Sequence, residues 1–267
     1  MSRAPLPYLW RAGLVVMLMV SAACASSADG TADRAGRTED GGPTSTSAAD
    51  PPDTTSVSAP EEPAEPVTTE PRAADPPTAV PAIAPIDEAT AARMSASWRP
   101  GCPVPLDALR LVTIQHWSFE GEVRSGELVV AAGHAEGTVK VFEALLADRF
   151  PIAQVRLVDE YGGDDDRSMA ANNTSAFNCR RATGSTRWSE HAYGTAIDIN
   201  PIQNPYVTGS GRVLPPEGAP YVERDPATPG VIVADGPVVT AFADIGWKWG
   251  GDWRQGKDYQ HFSVSGR

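Results

Sequence analysis

Apolar residues crowd two stretches of this chain in the way strands require. Leu109 to Phe119 and Glu127 to Ala132 are rich in Leu, Val and Ile, with turn-like Glu120-Gly121 and Ser125-Gly126 pairs between them. Val139, Phe142, Leu145, Leu146 and Phe150 then recur at steps of three and four. That period predicts a helix over 138–150, with Thr138 as its cap and Pro151 just past its end. Val155 to Val158 predicts another strand, Gly162 to Asp166 a polar loop, and residues 201–230 a long excursion rich in Pro and Gly. Thr195 to Asn200 alternates, sending Thr195, Ile197 and Ile199 to one side and Ala196, Asp198 and Asn200 to the other. A second helix is expected over 236–245, and a short closing strand from His261 to Val264. Strands and helices follow one another without regular alternation, so the expected class is α+β with a small antiparallel sheet and flanking helices.

The pattern stops abruptly on the N-terminal side of Trp98. Residues 25–96 hold no aromatic residue and few aliphatic ones, and are dominated by Ala, Pro, Thr, Ser and acidic groups. Such a segment buries too little apolar surface to offset its chain entropy, and a disordered linker is expected. A coil of that length would span roughly 45–50 Å. Before it, Arg3 and Arg11 precede an apolar run from Ala12 to Val20, and Ser21-Ala22-Ala23 lead into Cys24. The run is short for a bilayer span and reads as the core of an export signal. Cys24 after small residues resembles a bacterial lipoprotein site, although Ser21 stands where Leu is usual; ordinary secretion is the alternative. The expected organisation is thus a signal peptide over 1–24, a linker over 25–96 and a folded domain over 97–267. The chain would work outside the cytoplasm, as a monomer, held to a membrane through a lipid on Cys24 or released.

The net charge is −12, and the linker carries most of it. No concentrated basic patch is present, which argues against a nucleic-acid partner. With Cys24 set aside, Cys102 and Cys179 remain. In an oxidising compartment they are candidates for a disulfide, the alternative being two separate buried thiols.

Four histidines occur, at 116, 134, 191 and 261. His116 reads as structural or exposed at a strand end, and His134 as a loop residue. The other two have richer surroundings. In Ser189-Glu190-His191-Ala192-Tyr193-Gly194-Thr195-Ala196-Ile197-Asp198 the glycine permits a turn that brings His191 back toward Asp198 on its strand. In Asp258-Tyr259-Gln260-His261 a carboxylate precedes the second imidazole by three residues. Two imidazoles and one carboxylate make a sound three-ligand catalytic zinc site with one open position. Asp258 would take a proton from the attacking water, provided a bend brings it to the face of His261. Arg180 is the candidate for the group that binds a substrate carboxylate or steadies the developing oxyanion. Trp247, Trp249, Trp253 and Tyr259 would line a groove or pack the core, the latter for at least two of the tryptophans. No Gly-x-Ser-x-Gly elbow is present to suggest a serine hydrolase.

Spacing alone does not single these residues out, since a His and an Asp seven apart recur in many chains. The full pattern, Ser-x-His-x-x-Gly-x-Ala-x-Asp followed by Asp-x-x-His, resembles the D-alanyl-D-alanine carboxypeptidase family of zinc peptidases. That family includes wall carboxypeptidases, vancomycin-resistance D,D-dipeptidases and phage endolysin endopeptidases. Gly101-Cys102-Pro103-Val104, Ser168-Met169, Asn172 to Arg180, Asn200 to Tyr206 and Gly246 to Trp253 resemble the endolysin-like branch. The resemblance implies the small α+β fold shared with Hedgehog signalling domains, one Zn2+ ion and peptidoglycan peptides as substrate. It implies His191, Asp198 and His261 as ligands and Asp258 as base, with Arg180 matching the family's upstream arginine, near Arg181 and Arg187. Members that cut between two D-alanines commonly have Glu at the base position, whereas L-alanyl-D-glutamate endopeptidases resemble this chain in having Asp. The resemblance therefore favours an endopeptidase over a D-alanyl-D-alanine carboxypeptidase. A non-catalytic wall-binding lipoprotein is the reading of another class.

Overall fold

The computed structural model describes residues 80–267. The export signal, Cys24 and the linker up to residue 79 lie outside the described residues. The last part of the expected linker does not fit that reading. Strand β1 (Ala82–Pro85) and helix α1 (Glu88–Arg93) both form within it, so the folded unit starts earlier than residue 97. Asp87 caps α1 by accepting from the Thr90 backbone N–H at 2.8 Å, and Met94 just beyond the helix is buried.

Strand β1 lies at the edge of an antiparallel sheet, beside β2 (Leu109–Trp117). The centre of that sheet is the hairpin of β2 with β3 (Val123–Ala131), in register from Leu109 opposite Ala131 to Trp117 opposite Val123. Ser125-Gly126 is therefore inside a strand rather than a turn. A side chain at Gly126 would meet Val155 at 2.4 Å, so the small residue marks a packing contact. Helix α2 (Ala135–Ala147) starts before the predicted position. Thr138 lies within it and donates to the His134 carbonyl at 3.0 Å instead of capping it.

Strand β4 (Gln154–Val155) pairs in parallel with β5 (Asn173–Thr174), and between them runs α3 (Asp165–Ala170). The predicted polar loop thus ends in a helix start. Asp164 caps it by accepting from Arg167 N at 3.1 Å, and Asp165 and Asp166 occupy the first turn, where carboxylates favour the helix dipole. Next come β6 (Ala196–Asp198), then β7 (Tyr206–Val207) and β8 (Val213–Leu214) in the long excursion, and α4 (Pro237–Asp244). The chain finishes with β9 (Lys248–Trp249), β10 (Lys257–Asp258) and β11 (His261–Ser263). These form two small antiparallel sheets, ordered β6-β11-β9 and β10-β7-β8. The architecture is α+β with small antiparallel sheets, as expected.

Val112, Ile114, Leu128 and Val130 from the hairpin pack with Phe142 and Leu145 of α2, Phe242 of α4, and Ile197 and Phe262 of the β6–β11 pair. Trp247 and Trp249 are buried in this core. His116 on β2 is 2% exposed, in keeping with a structural role. A second cluster joins Met94, Leu109, Val129, Leu157, Phe177 and Cys179. Cys102 and Cys179 form a disulfide there, bridging 77 residues. No helix among the described residues is long and apolar enough to cross a membrane.

Candidate metal centre

His191 sits on a 3-10 turn, Glu190–Tyr193, whose start is capped by Ser189; its Oγ accepts from His191 N at 3.3 Å. Gly194 ends the turn in the left-handed region, at φ 68°, where a side chain would be strained. Its carbonyl accepts from Ala131 N of β3 at 2.9 Å, which docks the turn against the hairpin sheet. The chain then enters β6, and Asp198 comes to lie directly opposite His261 in the antiparallel register with β11. Directly opposed residues in such a pair share a face of the sheet. Ser175 bonds the backbone of Asp198 from the other side, at 3.0 and 2.9 Å, so this end of β6 is held on both edges.

The three side chains converge as the sequence predicts. Asp198 Oδ2 lies 3.0 Å from His191 Nε2, and its Oδ1 lies 2.9 Å from His261 Nδ1. The two ring nitrogens are 3.3 Å apart. All three residues are buried, and they form a group that could hold a metal ion. Tetrahedral zinc with bonds of about 2.0–2.1 Å needs donor atoms separated by about 3.3 Å. The observed spacings of 2.9–3.3 Å fit that requirement closely. The outward nitrogens also fit. His191 Nδ1 is 2.5 Å from the Ala176 carbonyl and His261 Nε2 is 3.0 Å from the Arg267 carbonyl. A main-chain oxygen only accepts, so the outer nitrogen of each ring carries a proton and the inner nitrogen is the one that a metal ion could take in place of a proton.

The electrostatics agree. Burial alone would raise the Asp198 carboxyl, but the charges and hydrogen bonds of His191 and His261 hold it well below the usual carboxylate range. Burial works against a charged His261, yet Asp198 beside it, with Asp258, raises it to about 9. A cluster that holds positive charge this tightly is one in which a cation can replace protons.

Asp258 reaches the site by a change of sheet. It belongs to β10, opposite Tyr206 of β7, while His261 three residues later belongs to β11. The bend that sequence reasoning required is this crossing from one sheet to the other. Gln260 O accepts from Ile199 N at 3.0 Å and Tyr259 O accepts from Trp249 Nε1 at 2.8 Å, fixing the bend. Gly250 lies against it. A Cβ there would come within 2.5 Å of Asp258 O, 2.9 Å of Asp258 Cβ and 3.3 Å of His261 Cβ. Asp258 Oδ1 is buried with no hydrogen-bond partner. Burial, reinforced by the nearby Asp198 charge and opposed by His261 and Arg180, pushes its carboxyl up to about 7.

Asp258, Arg180 and the three clustered residues line one cleft of about 1420 Å³. Arg180 is paired with Asp165 at 2.8 Å, and its Nε is buried without a partner. Burial, with the Asp198 charge adding, raises the Asp165 carboxyl, and Arg180 acts against that shift. The neighbouring Arg181 instead stacks on Trp188, 3.7 Å from the ring centroid. Trp253 also lines the cleft, with its ring 5.6 Å from that of His261. Sequence reasoning missed Asp165, although Asp164-Asp165-Asp166 before Arg167 is a legible helix start. It also missed Ala176 and Arg267, which act through their carbonyls and leave no side-chain signature.

A family model described as D-alanyl-D-alanine carboxypeptidase matches residues 183–264. Over that segment the chain is similar to this family. The matched segment contains His191, Asp198, Asp258 and His261, while Arg180 lies just outside it. No curated protein and no solved structure matches the chain.

Proposed function

We propose that residues 82–267 form a zinc peptidase domain that hydrolyses stem peptides of peptidoglycan, with His191, Asp198 and His261 as the metal ligands. The observation that carries this is the buried, unpartnered Oδ1 of Asp258 in the same cleft as the His-Asp-His cluster. A structural metal site has no use for it, and leaving it buried costs stability. Zinc bound there supplies Lewis acidity and an activated water at neutral pH. Asp258 takes the proton from the attacking water and passes it to the leaving amine, a task suited to a carboxylate whose pKa has been raised toward neutrality. Arg180 bonds a substrate carboxylate or the oxygen that becomes negative, and Asp165 holds its guanidinium in place. Arg180, Arg181, Arg187 and Arg267 all line the cleft of a chain with net charge −12, which suits a peptide bearing carboxylates.

The bond cut is between L-alanine and D-glutamate in this reading, because the base is Asp rather than Glu. The family description favours the second reading, removal of a terminal D-alanine. The domain works outside the cytoplasm, exported by residues 1–24 and tethered through Cys24 and the linker.

Elemental analysis of the purified protein should find one zinc per chain, lost in His191→Ala. Digestion of peptidoglycan should depend on both His191 and Asp258, and digestion unaffected by either substitution would refute the proposal. Mass spectrometry of the products from a defined muropeptide then separates the two bonds: a new amino terminus on glutamate, or free D-alanine.

A further inference from the structure

The outward nitrogen of His261 is satisfied by the far end of the sequence. His261 Nε2 meets the main-chain carbonyl of Arg267 at 3.0 Å, and Ser263 Oγ donates to the same oxygen at 3.1 Å. Ser263 Oγ in turn accepts from Gly266 N at 3.2 Å and Arg267 N at 3.1 Å, closing a tight loop around one hydroxyl. Trp253 Nε1 donates to the Gly266 carbonyl at 2.9 Å, and its ring packs on His261. On the other side, Ser265 Oγ donates to Glu190 Oε1 at 2.9 Å, next to His191, and Val264 N donates to Thr195 O at 3.1 Å. Four consecutive residues are therefore tied to both segments that supply the imidazoles.

We propose that Val264–Arg267 is a clip that sets the metal affinity of the site by holding His261 in one tautomer through the Arg267 carbonyl. This rests on His261 being a metal ligand. A ring that flips, or moves its proton to Nδ1, presents N–H rather than a lone pair to the ion. His191 has the equivalent restraint from Ala176, whose residue is buried in the core. The restraint on His261 is carried by a segment held mainly by hydrogen bonds, with Val264 exposed and Ser265, Gly266 and Arg267 lining the cleft. Arg267 thus acts as a positioning residue through its backbone, and its side chain is dispensable for that role.

The test compares the full chain, Arg267→Ala, Ser263→Ala and a chain ending at Gly266, each titrated with zinc against a chromogenic chelator. Arg267→Ala should bind within about twofold of the unaltered protein, since it keeps the carbonyl. The shortened chain should bind about 10- to 100-fold more weakly, the usual cost of losing a partner of a metal-bound His. Ser263→Ala should be weakened in the same direction, which keeps the test decisive if the shortened chain does not fold. Long-range proton–nitrogen spectra of the zinc-loaded full chain should show His261 protonated at Nε2. Equal affinity in all four proteins would overturn the clip and leave the ligand assignment standing. Arg267→Ala binding as weakly as the shortened chain would also overturn it, by shifting the effect to the side chain. Failure of the full chain to bind one zinc would overturn the ligand assignment and the clip together.

Discussion

Replacing Asp258 with Asn should lessen the loss of stability that the metal-free protein suffers toward alkaline pH, while slowing hydrolysis by orders of magnitude. The Asp258 carboxyl is pushed from an ordinary 3.8 up to about 7, chiefly by burial, with no hydrogen bond to its Oδ1. A carboxyl raised on folding contributes stability that is fully present below its unfolded pKa and is lost as pH climbs through the folded value. Between pH 5 and pH 8 the loss from this group is about 3 kcal/mol by proton linkage. Asn has nearly the same shape but does not titrate, so the variant escapes the loss. Burying an amide without its full complement of partners costs about 1–3 kcal/mol, but that cost does not change with pH. His261, raised to about 9 in part by the Asp258 charge, adds its own loss toward higher pH, so the difference between the two proteins reports Asp258 together with its pull on His261. Urea denaturation of chelator-treated protein at pH 5 and pH 8 reads the effect directly. The variant should gain about 3 kcal/mol on the wild type across that interval, and after zinc loading its turnover should fall by about 10²–10⁴. Parallel stability curves from pH 5 to pH 8 would refute the buried, unpaired carboxylate, and retained turnover would refute its role as base.

Cys179→Ser opens a loop of 77 residues and should cost about 4–5 kcal/mol on a chain-entropy estimate, seen as a drop in denaturation midpoint that reducing agent reproduces in the wild type. Gly250→Ala pushes a methyl between Asp258 and His261; thermal unfolding should show a loss of about 1–3 kcal/mol, and kcat should fall while one zinc is still bound. Arg180→Ala strips Asp165 of its counter-ion and should cost about 1–3 kcal/mol, part of which Asp165→Asn restores in the double variant; simple additivity of the two changes would deny the pairing.

The meeting of His191 with Asp198 was legible because its determinants are local. A Ser that can cap, a Gly that can turn and an alternating strand place His191 and Asp198 within eight consecutive residues. Helices α2 and α4 were legible for a similar reason, through their periodic apolar faces. Strand β1 left no such trace. Its four residues are all exposed, and it is held at a sheet edge by backbone hydrogen bonds to β2, with Pro85 at its end. Composition there reports only that nothing is buried, which is equally true of a linker. The partners of His191 and His261 were invisible for a deeper reason, since Ala176 and Arg267 contribute carbonyl oxygens that every residue possesses.

The placement of Asp258 bears on how a short carboxylate would serve as the proposed base. The proposed ligands Asp198 and His261 are opposed across one antiparallel pair, so their separation is fixed by strand geometry. Asp258 stands in a different sheet, with β7 and β8 of the long excursion, so its distance from the ligands depends on how that sheet is pressed against them. Two features press it close. Gly250 offers no side chain between Asp258 and His261. Arg224 stacks on Tyr259, 4.4 Å from the ring centroid, while bonding the carbonyls of Gln203, Tyr221 and Ile232 and the side chain of Asn204. It is buried enough for desolvation to lower its pKa to about 10. The excursion is thus fastened to the residue directly after Asp258. An Asp at this position is one methylene shorter than a Glu, and the backbone must make up the difference. Replacing Asp258 with Glu alone should therefore lower kcat with one zinc still bound, because the extra methylene moves the carboxylate from the position that the close backbone approach at Gly250 gives it; an unchanged kcat would speak against this.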